Sequence, residues 1–292
     1  MNNFVRQQPI WGKPAWRFYQ QDLQLQTNYS DGKVSIDQII QGSIKNGRKI
    51  IGITDHAIGW DDGDEHARFF MTSRIFKNYL TDIAVAKKKY KAEGITILAG
   101  LEVEIGFDGH MALGEGILEM IGSEEHLLDH IDYVIGVIHS ESYTVSLKRL
   151  NKAPMDEKNA DLLVKNVLAL IANPRVLIWG HPFQAVHGHY IRDFTPAEKK
   201  RILTGLKKRQ IPLLLEYNLN PTPRYMEWND KSTYYDQGVL VPNDMEFFGA
   251  CARQGSKFVI STDAHDVEQT ARLTNRTMIP ESINDKLIYL SN

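Results

Sequence analysis

A chain of 292 residues, 42% hydrophobic and 24% charged, has the composition of a globular protein with room for one large domain or two small ones. Its net charge of -2 creates no strong field toward nucleic acid or membrane, and a single cysteine, Cys251, excludes an internal disulfide. The stretch MNNFVRQQPIWGKPAW lacks a signal-peptide core, and no apolar run approaches the ~20 residues that span a bilayer, so a cytoplasmic protein is expected.

The first element is a strand inside DLQLQTNYSDG (22–32). Alternate strand residues point the same way, so Gln24 and Gln26 share a face just before a turn. Two identical polar groups aimed together there mark a candidate site. SIDQIIQGSIKNG follows as a helix, with Ser35 as N-cap, Gln38 at capping-box spacing, and Ile36, Ile39, Ile40 and Ile44 at helical periodicity. KIIGITDH (49–56) is the next strand, and GWDDGDEHARFF (59–70) after it reads equally as a loop that covers a site and selects substrate or as a solvated acidic loop. A helix over 74–94 precedes the strands ITILAGLEVEI (95–105) and YVIGVIHS (133–140). A helix over 156–174 leads to VLIWGHP (176–182), and one over 195–210 leads to PLLLEYN (212–218). A last helix, 243–255, has Asn243 and Glu246 as its cap and Gly255 as its stop, and the strand KFVISTDAH (257–265) follows.

These seven strands lack clean polar alternation, as strands buried on both faces do. Strands alternating with helices imply parallel βα units, and no Gly-rich phosphate turn is present. The expectation is one barrel-like α/β domain over 1–292. Nearly every strand ends in a group able to bind metal: Asp55 and His56, Glu102 and Glu104, His139, His181, Glu216 and Asn218, Asp263 and His265. In a βα barrel these ends converge on one face. Imidazoles with shared carboxylates suit Zn, Mn or Fe better than Ca. One strand-end histidine is most often structural, but four at four strand ends are hard to explain as core packing.

The pieces DLQLQTNYSDG, GITDH, GLEVEI, VIGVIHS, WGHP, LEYNLNP and STDAH resemble, in order, the motifs of the PHP superfamily of polymerase-associated and histidinol-phosphate phosphatases. The similarity covers about 20–275 and is nearest to the PHP domain attached to bacterial family X DNA polymerases. It implies a distorted (β/α)7 barrel and a phosphoesterase that works through metal-activated water on two or three divalent ions, Zn, Mn or Fe. It implies one ion held by positions 24, 26, 102 and 263, with Glu102 bridging to a second held by His139 and His181. A third is implied at Asp31, His56 and His265, with His181, Asp263 and His265 at the reacting phosphate.

The family pattern has His-x-His where this chain has Gln24 and Gln26. An amide oxygen is a neutral, weaker ligand than imidazole, so the first ion is expected to be weak or absent. Three readings stay open: an introduced double substitution that traps substrate, a natural variant working with two ions, and an impaired enzyme kept as a binding module. Arg224 is a candidate phosphate clamp, because guanidinium donors match a phosphate, with a surface salt bridge as the plain reading. His187 and His189 read as a surface loop, and KKKYK (87–91) and KKR (207–209) as solvated helix faces. Cys251 reads as core. The expected substrate is a small phosphomonoester, such as a nucleotide or histidinol phosphate, or a nucleic-acid 3' end. No membrane and no obligate protein partner is expected.

Overall fold

Seven short, largely buried segments pair side by side, all in parallel. They are β1 (Gln21–Leu25), β2 (Ile50–Ile53), β3 (Thr96–Glu104), β4 (Tyr133–Val137), β5 (Ile178–Trp179), β6 (Leu214–Asn218) and β9 (Lys257–Ser261). The order in the sheet is β1-β2-β3-β4-β5-β6-β9. Between β6 and β9 the chain forms an antiparallel hairpin of β7 (Arg224–Trp228) and β8 (Lys231–Tyr235). The computed structural model describes residues 20–57, 71–105, 109–111, 113, 117, 129–138, 157–182, 194–218, 224–228, 231–235, 242–274, 283, 286–288 and 290.

The sheet curls until its edges meet. Leu25 bridges Ala264 in parallel, with Gln26 N–H donating to the Ala264 carbonyl at 2.9 Å and Ala264 N–H to the Gln24 carbonyl at 3.3 Å. Asp22, at the start of the same seam, accepts from Thr262 N–H at 3.0 Å and Thr262 Oγ1–H at 2.6 Å. The result is the distorted (β/α)7 barrel, and among the described residues an α-helix follows β1, β2, β4, β5 and, after the hairpin, β6.

The helices are α1 (Ile36–Lys45), α2 (Ser73–Tyr90), α3 (Glu157–Ala172), α4 (Pro196–Lys208) and α5 (Pro242–Arg253). Helix α1 starts at the Ser35–Gln38 capping box read from sequence and buries Ile36, Ile39 and Ile40. A second capping box, Thr195 with Glu198, starts α4. Helix α5 begins at Pro242, which places Asn243 one residue inside it rather than at its cap. Proline's fixed φ suits the first helical position, and this local preference overrides the Asn–Glu spacing. Gly255 has φ +92° beyond its end, as a terminal glycine should. No helix among the described residues is long and apolar enough to cross a membrane.

The basic runs are less free than a solvated face implies. Lys87 pairs with Asp132 at 2.6 Å and Lys89 with Asp37 at 2.5 Å. Arg209 donates to the carbonyls of Ile171, Val176 and Ile211, tying the end of α4 to the end of α3 and the approach to β5.

One large apolar cluster joins the strands to the helices, and Cys251 lies within it, fully buried. A smaller cluster is built from strand residues, including Leu23, Leu98, Tyr133, Ile135, Leu214 and Val259, together with Ile288 and Leu290. Tyr133 reaches across this second cluster to donate to the Leu23 carbonyl at 2.5 Å. Gly52 makes room for it: a methyl group there would sit 1.9 Å from the Tyr133 hydroxyl oxygen and 3.1 Å from the Leu23 Cα. Gly52→Ala is therefore expected to cost about 3 kcal/mol through overpacking and loss of a buried hydrogen bond. Thermal unfolding would show it as a fall of roughly 6–12 °C in Tm, taking 2–4 °C per kcal/mol.

Candidate metal centre

The β1 and β9 seam delivers several candidate ligands to one mouth of the barrel. Asp31 comes from the turn after β1, His56 from just past β2, Glu102 from within β3, His181 from just past β5, and Asp263 and His265 from just past β9. His56 and Glu102 are themselves bridged partners in the sheet. Two of these positions, His181 at φ 25° and Asp263 at φ 50°, hold a backbone conformation that residues other than glycine rarely adopt. Such strain is kept where the surroundings impose a particular direction on a side chain, often at a site.

Asp31, His56 and His265 form the tightest group. One ligand atom from each lies within 4.8 Å of the others. His265 Nε2 is 3.1 Å from Asp31 Oδ2, and His56 Nε2 is 3.6 Å from Asp31 Oδ1. The other ring nitrogen of His265, Nδ1, lies 2.8 Å from the Asp263 carbonyl. A carbonyl only accepts, so Nδ1 carries the proton and Nε2 is turned to the cluster, the arrangement that orients metal-binding imidazoles. Burial raises the Asp31 carboxyl, but the hydrogen bond from His265 and the charges of His56 and His265 outweigh it and leave Asp31 below its ordinary value. Burial lowers His265, yet the hydrogen bond with Asp31 and the charge of Asp263 lift it to about 10. A divalent cation would take over the role of that proton. This donor set fits a divalent metal ion.

Glu102 is the hub beside this group and is 1% exposed. Its Oε1 is 3.1 Å from His181 Nε2 and 3.8 Å from His56 Nδ1. Its Oε2 accepts Nε2–H from Gln24 at 2.8 Å and Nε2–H from Gln26 at 2.5 Å. The two glutamines therefore do share a face and do meet at the site. They present donors rather than lone pairs to Glu102, and this set does not fit an ion between them.

A supporting network holds the ligands. Asp55 accepts from Thr27 N–H and Thr27 Oγ1–H, both at 2.8 Å, and lies 2.6 Å from Ser30 Oγ. Ser30 Oγ is also 3.1 Å from Gln26 Oε1. These bonds pin the turn that carries Asp31. Burial raises the Asp55 carboxyl against the pull of those hydrogen bonds. Glu216 accepts His181 N–H at 2.6 Å and Ser261 Oγ–H. Burial pushes Glu216 up to about 7, with the charge of His181 and the Ser261 bond opposing it. Asp55 and Glu216 were both strand-end candidates for metal binding. Each is committed to the backbone beside a ligand, and that commitment corrects the reading. Ser30, Thr27 and Ser261 carry no pattern that marks them in a sequence; only the acids they serve do.

Several candidates fall elsewhere. His139, the loop 59–70, His187 and His189 lie outside the described residues. Arg224 opens β7, a strand missed by the sequence reading, and its side chain is outside the described set. The signal for that hairpin was present in the aromatic-rich RYMEW and KSTYY separated by Asn229 and Asp230.

A family profile described as the PHP domain matches residues 22–211. The DNA polymerase/3'-5' exonuclease PolX of Bacillus subtilis (strain 168) is 24% identical over 250 residues, which make up 85% of this chain but 34% of that protein. Among solved structures, the Yersinia pestis dihydropteroate synthase with a sulfonamide drug is 14% identical, with a TM-score of 0.34 over 86% of this chain and 91% of that one. The IOLI protein with a bound zinc atom is 12% identical, with a TM-score of 0.38 over 90% and 99%.

Proposed function

Because the chain belongs to the PHP domain family, we propose that it is a metal-dependent phosphoesterase, a barrel that hydrolyses a phosphate ester with metal-activated water. The observation that carries this reading is the convergence of Asp31, His56 and His265, with Glu102 and His181 alongside. Asp31, His56 and His265 would hold one ion. Glu102 Oε1 and His181, with His139, would hold another. When bound, such ions activate water and neutralise charge on the phosphoryl oxygens.

The protein's own groups do the positioning. Glu216 fixes the backbone at His181, Asp55 fixes the turn bearing Asp31, and the Asp263 carbonyl sets the tautomer of His265. In this proposal His181, Asp263 and His265 face the reacting phosphate, and Arg224 clamps it. The substrate is a small phosphomonoester, such as a nucleotide or histidinol phosphate, or the 3' end of a nucleic acid. The modest net charge supports the compact substrate, and the similarity to PolX supports the 3' end. The single cysteine supports a cytoplasmic setting.

A panel of phosphomonoesters and oligonucleotides, assayed with Mn or Zn and after chelation, tests this reading. Metal-dependent release of phosphate or nucleotide is expected. Metal-loaded protein that turns over no phosphoester would overturn it in favour of a binding module, a reading favoured by the amide contacts on Glu102. Cys251→Ser is expected to change turnover by less than about twofold, because the thiol is buried in the core and a metal-activated water needs no side-chain nucleophile.

A further inference from the structure

We propose that Gln24 and Gln26 form a donor clamp that replaces a metal ion on Glu102, so that Glu102 binds through Oε1 alone and does not bridge two ions. A buried carboxylate has to be compensated by a cation or by hydrogen-bond donors. Glu102 is compensated on its two oxygens in different ways. Oε1 faces imidazoles, His181 at 3.1 Å and His56 at 3.8 Å. Oε2 accepts two amide hydrogens, at 2.8 Å from Gln24 and 2.5 Å from Gln26.

Two good donors occupy the two lone-pair directions of one oxygen. A cation at Oε2 has to displace at least one of them. It would also require the amides to rotate and offer their carbonyl oxygens. The present orientation follows from electrostatics: an amide oxygen 2.5 Å from a carboxylate oxygen would be repelled, while an amide N–H is attracted. The Gln24 Oε1 that points away is buried with no hydrogen-bond partner among the described residues. Rotating Gln24 would bury two unpaired N–H donors in its place, a costlier arrangement. The clamp is also stiff. Gln24 closes no turn and sits in β1, and the backbone of both residues is bonded to Ala264 across the seam.

The consequence is a centre whose first position is filled by protein hydrogen bonds and whose ions bind on the other side of Glu102. The inference uses the metal-centre half of the proposed function but not its chemistry. Both readouts below leave turnover unmeasured, so loss of the phosphoesterase reading does not affect them.

Isosteric Gln26→Glu swaps a donor for a carboxylate without changing shape. In the metal-free variant two carboxylates face each other, so its Tm is expected to fall below that of metal-free wild type. Titration with Mn should then restore Tm and load one more ion per chain than wild type, by elemental analysis. A Gln26→Glu variant with the wild-type ion count, or with an unchanged metal-free Tm, overturns the clamp. The wild-type protein supplies a test independent of that variant's folding. With 15N-labelled glutamine side chains, the amides of Gln24 and Gln26 are expected to exchange slowly with solvent in the metal-free state, as the buried amide of Gln21, bonded to the Ile288 carbonyl away from the site, also should. Those of Gln24 and Gln26 are expected to stay protected after Zn is added to its binding plateau. Loss of that protection on loading would mean that the amides turn toward an ion, and the proposal would fall.

Discussion

His265→Ala is expected to empty the Asp31–His56–His265 position and to lower metal-dependent phosphoester hydrolysis by about a thousandfold. His265 supplies one of three donors at that position and is the direct partner of Asp31, at 3.1 Å. Two remaining donors hold a divalent ion poorly. Removing one electrostatic donor from a catalytic site already costs ~10²–10³ in rate, and an ion stabilises developing charge at least as well. Elemental analysis should show about one ion fewer per chain. Circular dichroism should show the wild-type fold, because His265 is only partly buried and lies beyond the end of β9. A variant that keeps both its ions and its turnover would remove this cluster from the mechanism.

The second large effect is a gain. Gln24→His together with Gln26→His is expected to add about one ion per chain and to raise turnover on the preferred phosphoester by roughly a hundredfold. The double change removes both amide donors from Glu102 Oε2 and brings two imidazoles to the same oxygen. Either histidine alone leaves one amide donor on Glu102 Oε2 and, unlike a carboxylate at position 26, adds no charge that an ion must compensate, so each alone should do little. The size follows from the usual worth of one electrostatic contribution at phosphorus, ~3 kcal/mol. Metal count and steady-state rates of the four proteins decide it. If the extra ion binds and turnover stays level, the glutamines belong to a working design and not to a lost site.

The barrel was legible because its strands are buried on both faces. Runs such as IIGI and TILAGLEVE keep their β-branched character whatever packs against them, and the Ser35–Gln38 cap is a purely local signal. That Asp31, His56, His265, Glu102 and His181 lie together was legible, because strand ends converge in any βα barrel. Their roles were not. Asp55 and His56 are neighbours in sequence, yet one serves the turn after β1 and the other faces Asp31. Glu216 and Glu102 both lie two residues before the ends of their strands, yet one binds a backbone N–H and the other sits at the centre of the cluster. Such assignments depend on side-chain direction relative to non-adjacent strands, which no local pattern encodes. The weakness of amide ligands was readable at Gln24 and Gln26, but their donation to Glu102 was not. It needs the distance across β1 and β3.

The seam between β1 and β9 also sets a timetable for the protein. Gln24 and Gln26 are bonded through Ala264, and Asp22 through Thr262, 240 residues away along the chain. Contacts of such long sequence separation are entropically costly to close and slow the folding of chains that depend on them. During synthesis the strands from β1 to β6 can pair with neighbours as they emerge, but the mouth of the barrel has no floor until β9 arrives. Asp31 and His265, the partners at its tightest point, come from opposite sides of that final closure. The ion-binding position is therefore among the last features to exist. Metal added early in refolding should bind only after the slowest phase, and a nascent chain that lacks β9 should bind none at this position.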